Sequence, residues 1–224
     1  MEKYKLFAAA LSKYILGFVL VGLLLFLPAG TFRYPNAWLF MALLFIPMFV
    51  MGAALLVKAP ELLAKRLNTR EKETEQKSVI VLSALVFVVG FVIAGLDFRF
   101  QWLSLSKGLV IAASVLLLAA YGLFGEVMRE NAYLSRTVEV QKGQRVVDTG
   151  LYGVVRHPMY AATILLYLTI PLVLGSVVSL LVFLLYIPLV AKRIRNEEAI
   201  LEKGLPGYRE YKQKVRYKII PFIW

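Results

Sequence analysis

The chain has 224 residues, 60% of them hydrophobic and only 18% charged, with a formal net charge of +12, one histidine and no cysteine. A soluble domain of this length is nearer half apolar and a quarter charged, so the excess points to a polytopic membrane protein. The missing thiols exclude disulfides and thiolate chemistry, and a single imidazole leaves too few ligands for a conventional transition-metal site.

In chain order, four apolar runs are long enough to cross a bilayer: 14–29, 37–57, 79–96 and 108–125. A fifth, 159–190, is too long for one crossing and short for two. Pro171 and the Leu174-Gly175-Ser176 step divide it into halves of roughly 15 residues, which predicts a tight helix–turn–helix hairpin. The segment REKETEQK, 70–77, reads as a solvated charged loop. An N-terminal signal peptide is excluded by the length of the first run, the lack of a small-residue cleavage site and the spans that follow.

Lys and Arg fall unevenly between these runs. Three precede or occupy residue 13, six lie in 58–78, five in 126–160 and nine from Lys192 onward, against one in 31–36 and two in 97–107. Alternate loops therefore carry nearly all the positive charge, which predicts both termini in the cytoplasm and explains the net charge without nucleic acid. No span has an ionisable residue near its middle, which argues against ion or proton transport and sends any chemistry to the cytoplasmic face. The expected fold is an all-α, polytopic bundle of five to six transmembrane segments. It forms a single integral membrane domain, with membrane helices in 1–134 and a motif-bearing region in 135–224.

Two polar segments flank the predicted hairpin, SRTVEVQKGQRVVDTGLYGVVRHPMY before it and AKRIRNEEAILEKGLPGYREYKQKVRYKIIPF after it. A hairpin brings them together, making a pocket with both charge signs and aromatic walls. His157 precedes Pro158, which biases it toward extended backbone and places the proline at the first position of a helix. That helix N-terminus suits an anionic group, and His157 is either a ligand contact or a cap on a membrane helix. Gly150 and Gly153 make either a backbone approach to a ligand or a plain loop; the dinucleotide spacing G-x-G-x-x-G is missing. Arg193 and Glu197 share a helical face, either as a surface pair or as part of a site. Tyr208, Tyr211 and Val215 recur at helical spacing, which suits an interfacial helix or a ligand wall.

RHPMY ahead of an apolar hairpin, then Arg-x-x-x-Glu-Glu, then G-x-x-Y-x-x-Y-x-x-x-V, resembles the isoprenylcysteine carboxyl methyltransferase family, and the phospholipid N-methyltransferases look similar. The resemblance spans about 135–221 and implies an S-adenosylmethionine-dependent methyltransferase whose cofactor pocket lies at the cytosolic membrane surface. By matching residues it implies that Gln144, Arg145, Val146, Val147 and Tyr152 line the cofactor pocket. His157, Pro158, Met159 and Tyr160 continue it, and Glu197 closes it. Gln144 departs from the residue that family members often carry there. Arg193 matches the arginine that holds the substrate carboxylate, so it is both the substrate-binding and the catalytic residue implied. The implied partner is a lipid-like substrate entering from the bilayer. Rival readings are a phospholipid N-methyltransferase, a membrane sterol or enone reductase using NADPH, and a protein whose basic tail binds anionic lipid.

Overall fold

The computed structural model describes residues 3–68, 74–135 and 137–224. Among them it is helical with no strand. The helices are α1 (Lys3–Ala29), α2 (Pro35–Lys58), α3 (Pro60–Leu67), α4 (Thr74–Phe100), α5 (Lys107–Glu130), α6 (Pro158–Leu174), α7 (Val177–Phe183), α8 (Tyr186–Gly204) and α9 (Tyr208–Lys214). Five helical stretches are long and apolar enough to cross a membrane: α1, α2, α4, α5 and the continuous run of α7 and α8. The 17-residue α6 is a shorter apolar helix. The protein is a polytopic helical bundle.

The membrane core forms where α5 packs along α6 and α1 along α4. Leu25, Phe40, Leu117 and Phe183 are completely buried there. The outward faces present Leu16, Ile46 and Ile111, each more than 60% exposed. Apolar area of that extent is stable only against lipid, where hydrocarbon replaces water. Of the charged 70–77 stretch, residues 70–73 lie outside the described residues, and 74–77 form the first turn of α4 instead of a loop. A long apolar helix, once nucleated, propagates through residues as helix-competent as Glu, Gln and Lys.

The hairpin turns at Gly175, whose φ of +81° ends α6 in the left-handed region. Pro171 stays inside α6 and does not break it. The turn is pinned from three sides. Tyr34 donates its hydroxyl to the Leu174 carbonyl at 2.8 Å. Ser176 accepts the Ser179 N–H at 3.0 Å as the cap of α7 and donates its hydroxyl to the buried Asp97 carboxylate. Asp97 in turn accepts the Leu103 N–H at 3.1 Å, tying in the loop after α4. Regular α-helix is interrupted between α7 and α8 at Leu184–Leu185. Pro188 has no N–H for the Leu184 carbonyl, which accepts from Ile187 at 3.1 Å instead.

Candidate functional site

At the opposite end of the hairpin, the polypeptide before α6 meets the tail after α9. Arg156 and His157 donate their backbone N–H groups to the Tyr217 and Lys218 carbonyls at 2.9 and 2.8 Å. The Arg156 guanidinium donates to the Val215 and Arg216 carbonyls, both at 2.7 Å, and through Nε to Glu198 Oε1 at 2.8 Å. His157 Nε2 lies 3.1 Å from the same oxygen. Lys212 and Lys218 sit 3.7 and 3.8 Å from the other Glu198 oxygen. One buried carboxylate thus gathers four basic side chains from three parts of the chain. Such a cluster holds because the buried carboxylate is met by counter-charges and hydrogen bonds on both oxygens.

His157 is therefore not a side chain at an open pocket mouth. It is 5% exposed and makes no side-chain cap to α6, and its φ and ψ of −127° and 58° fall short of the extended conformation that Pro158 favours. The Arg-x-x-x-Glu-Glu step contains Glu198, but of the two glutamates the resemblance assigns a role to Glu197 alone. Neighbours on a helix diverge by about 100°, so one carboxylate faces the tail and the other faces inward.

The inward face carries the second network. Tyr160 donates its hydroxyl to Glu197 Oε2 at 2.5 Å and accepts from Arg193 Nε at 2.9 Å. These two side chains from α8 thus converge on one phenol at the start of α6. The Arg193 carbonyl accepts from the fully buried Gln76 of α4 at 3.3 Å, which fixes α8 against α4.

Both networks border a cavity of about 630 Å³, within the range of small-molecule sites. Its polar end is lined by Arg145, Tyr160, Arg193 and Glu197, and its apolar end by side chains of α4, α6 and α8 together with Met48 of α2. Gln144, Val146, Val147, Tyr152, His157 and Met159 also line it, but Pro158 does not. Pro158 is the buried first residue of α6. Gln144 spends its side-chain carbonyl on the Gln141 N–H at 2.8 Å. The three-residue-spaced glycines form a 3-10 turn, and the close approach at Gly150 is to Glu130, not to a ligand. That glycine has φ +54°, and the Glu130 carboxylate accepts the next N–H, that of Leu151, at 2.9 Å.

α9 turns its tyrosines inward. Tyr208 and Tyr211 are buried against Leu205, Val215, Val140 and Val146, and both line the cavity. Tyr211 donates to the Tyr152 carbonyl at 2.7 Å, and the Tyr152 hydroxyl accepts from Asn131 at 3.0 Å. Burial pushes the Tyr152 and Tyr211 phenols well above their usual range, so both stay neutral donors at any physiological pH. Tyr208 is different: its hydroxyl is buried and has no hydrogen-bond partner among the described residues. An orphaned buried donor in a cavity wall is a place where a bound molecule's polar atom gains a full hydrogen bond.

The family comparison falls on this region. The model of the isoprenylcysteine carboxyl methyltransferase family matches residues 108–203, from α5 to the end of α8. Delta(14)-sterol reductase TM7SF2 of Mus musculus is 29% identical over 91 residues, covering 39% of this chain and 22% of the relative. The chain spans about a fifth of the length of that curated relative. The family match contains Tyr160, Arg193 and Glu197, the side chains that meet at the polar end of the cavity, as well as Glu198. Over residues 108–203, less than half of its length, the chain is similar to the isoprenylcysteine carboxyl methyltransferase family.

Proposed function

We propose that the protein is an integral membrane methyltransferase that uses S-adenosylmethionine to methylate a carboxylate on a lipid-like, isoprenylcysteine-type substrate. One observation carries this reading. A single cavity joins a charged end, where Arg193 and Glu197 meet on Tyr160, to an apolar end. Such a cavity suits a reaction between one polar and one greasy reactant.

The wall residues fit the cofactor's chemistry. S-adenosylmethionine carries both charge signs and several hydroxyls, and supplies an electrophilic methyl group on a sulfonium. Arg145, Glu197 and the unanswered Tyr208 hydroxyl offer donors and an acceptor for such a molecule, with Tyr152, Tyr160 and Met159 as apolar or aromatic wall. The chain's own contribution is positional. Arg193 orients the acceptor carboxylate through its planar guanidinium, itself held through Nε by Tyr160. A carboxylate is already a nucleophile, so no general base is required, and the rate gain rests on alignment and water exclusion. The basic asymmetry of the loops supports a cytoplasmic location for the charged end of the cavity and for both termini.

The test is calorimetry on the full chain in detergent, with S-adenosylhomocysteine and NADPH titrated side by side. Binding of S-adenosylhomocysteine alone supports the reading. Binding of NADPH alone overturns it in favour of a reductase like the mouse relative.

A further inference from the structure

At its apolar end the cavity is lined by three rings that pack on one another. The lining residues furthest along their helices from Arg193 and Glu197 are Phe87 on α4, Tyr167 on α6 and Tyr186 on α8. Each touches the other two: Phe87 and Tyr167 at 4.6 Å, Tyr167 and Tyr186 at 4.8 Å, Phe87 and Tyr186 at 6.1 Å between centroids, all edge-to-face. Edge-to-face triads of this kind are favourable beyond the area they bury. Beneath them Phe183 is completely buried, edge-on to Phe87 at 5.3 Å. It presses so closely on Gly90 that any Cβ there would overlap its ring. The triangle therefore cannot sink further toward the hairpin turn.

We infer that the Phe87–Tyr167–Tyr186 triangle is a length stop that makes the site selective for a short apolar chain on the methyl acceptor. This rests on the proposed function only in taking the acceptor to be lipid-like. Along α4 the lining runs from Val79 to Phe87, and along α6 from Met159 to Tyr167. Eight residue steps at the helical rise give an arm of about 12 Å. A chain that fits this arm gains burial with every added carbon until it meets the rings; beyond them each carbon must displace a packed aromatic or turn back toward the headgroups. Affinity then stops rising with length and falls.

The experiment uses the full chain in phosphatidylcholine nanodiscs, with N-acetyl-cysteine carrying S-geranyl, S-farnesyl or S-geranylgeranyl groups as probes. Binding is measured by calorimetry, and methyl transfer from S-adenosylmethionine separately. The parent protein binds the geranyl thioether at least as well as the longer two. Phe87→Ala shifts the preference toward the longer chains by about tenfold, the scale of a methylene-sized change in an apolar pocket. Phe87→Leu, the safer variant for folding, shifts it in the same direction. Ser83→Phe, one turn nearer the mouth on the same face of α4, shortens the arm and weakens even the geranyl thioether. The same order of affinities in all four proteins overturns the length stop, and so does a parent that prefers geranylgeranyl. A length-dependent binding order without methyl transfer sinks the proposed function and leaves the stop intact. Methyl transfer with no length dependence does the reverse. Failure of every thioether to bind overturns both.

Discussion

His157, the only imidazole in the chain, meets Glu198 at 3.1 Å, with both side chains about 5% exposed. Forty-one residues separate them in sequence, yet the contact joins the entry of the hairpin to its exit. It puts the histidine in the wall of the site as a structural member, whatever it also touches in a complex.

Glu198→Ala is expected to destabilise the protein far more than Glu197→Ala. Removing the hub leaves the Arg156 guanidinium buried without its counter-charge, a loss of about 3–5 kcal/mol for a broken buried pair. Glu197 is half-buried at the cavity, so its loss should act on ligand binding first. Thermal melts of both variants in one detergent check the contrast; equal melting temperatures would sink it.

His157→Ala should lower both stability and S-adenosylhomocysteine affinity. A buried acceptor that loses a charge-assisted partner costs about 1–3 kcal/mol. The melting temperature reports the first effect and titration the second. An unchanged melting temperature would show that the Glu198 contact contributes nothing in solution.

How much of this was legible in the sequence depends on the range of the interaction. Hydropathy and Lys/Arg placement depend on composition along the chain, so the spans and the 159–190 hairpin could be read directly. The turn at Gly175 was also legible, because left-handed backbone selects glycine. Glu198 could not be separated from Glu197, because their opposite roles follow only from which way α8 faces. The inward face of α9 was equally hidden: Tyr208 and Tyr211 at helical spacing serve an interface or a wall alike, and only packing against Val140 and Val146 decides. The length stop needed three helices in place at once.

Arg193→Lys is expected to reduce turnover by about tenfold or more, about 1.4 kcal/mol in the barrier, with little effect on cofactor affinity. An ammonium cannot reproduce a planar fork held through Nε by Tyr160. Glu197→Gln should show the opposite bias, weakening cofactor binding before turnover. Because Tyr160 joins the two, the double variant should depart from additivity. Steady-state kinetics beside calorimetry separates these outcomes, and equal losses of cofactor binding in both single variants would mark a purely structural pair.

Gly150→Ala should destabilise the fold on the order of 1–3 kcal/mol, since the position needs φ +54° and a Cβ would overlap the Glu130 carboxylate. Glu130→Ala in the same chain should recover part of that loss by removing the overlap. A melting series of the two single variants and the double checks it.

A reporter fused after Trp224 is expected to read as cytoplasmic, and one inserted at the Gly175 turn as extracytoplasmic. The opposite pair of results would invert the topology and put the Arg193 end of the cavity on the wrong side for a cytosolic cofactor.

The interruption at Leu184–Leu185 has a mechanical consequence. Straight membrane helices resist flexing because each degree of bend strains hydrogen bonds that hydrocarbon cannot replace. Here Pro188 has already removed one rung of the ladder, and the Leu184 carbonyl has settled on Ile187. The limb that carries Arg193 and Glu197 therefore does not depend on an unbroken backbone ladder at this joint. The stretch that carries them is held instead by its side contacts, to Gln76 of α4 and to Arg156 and His157 before α6.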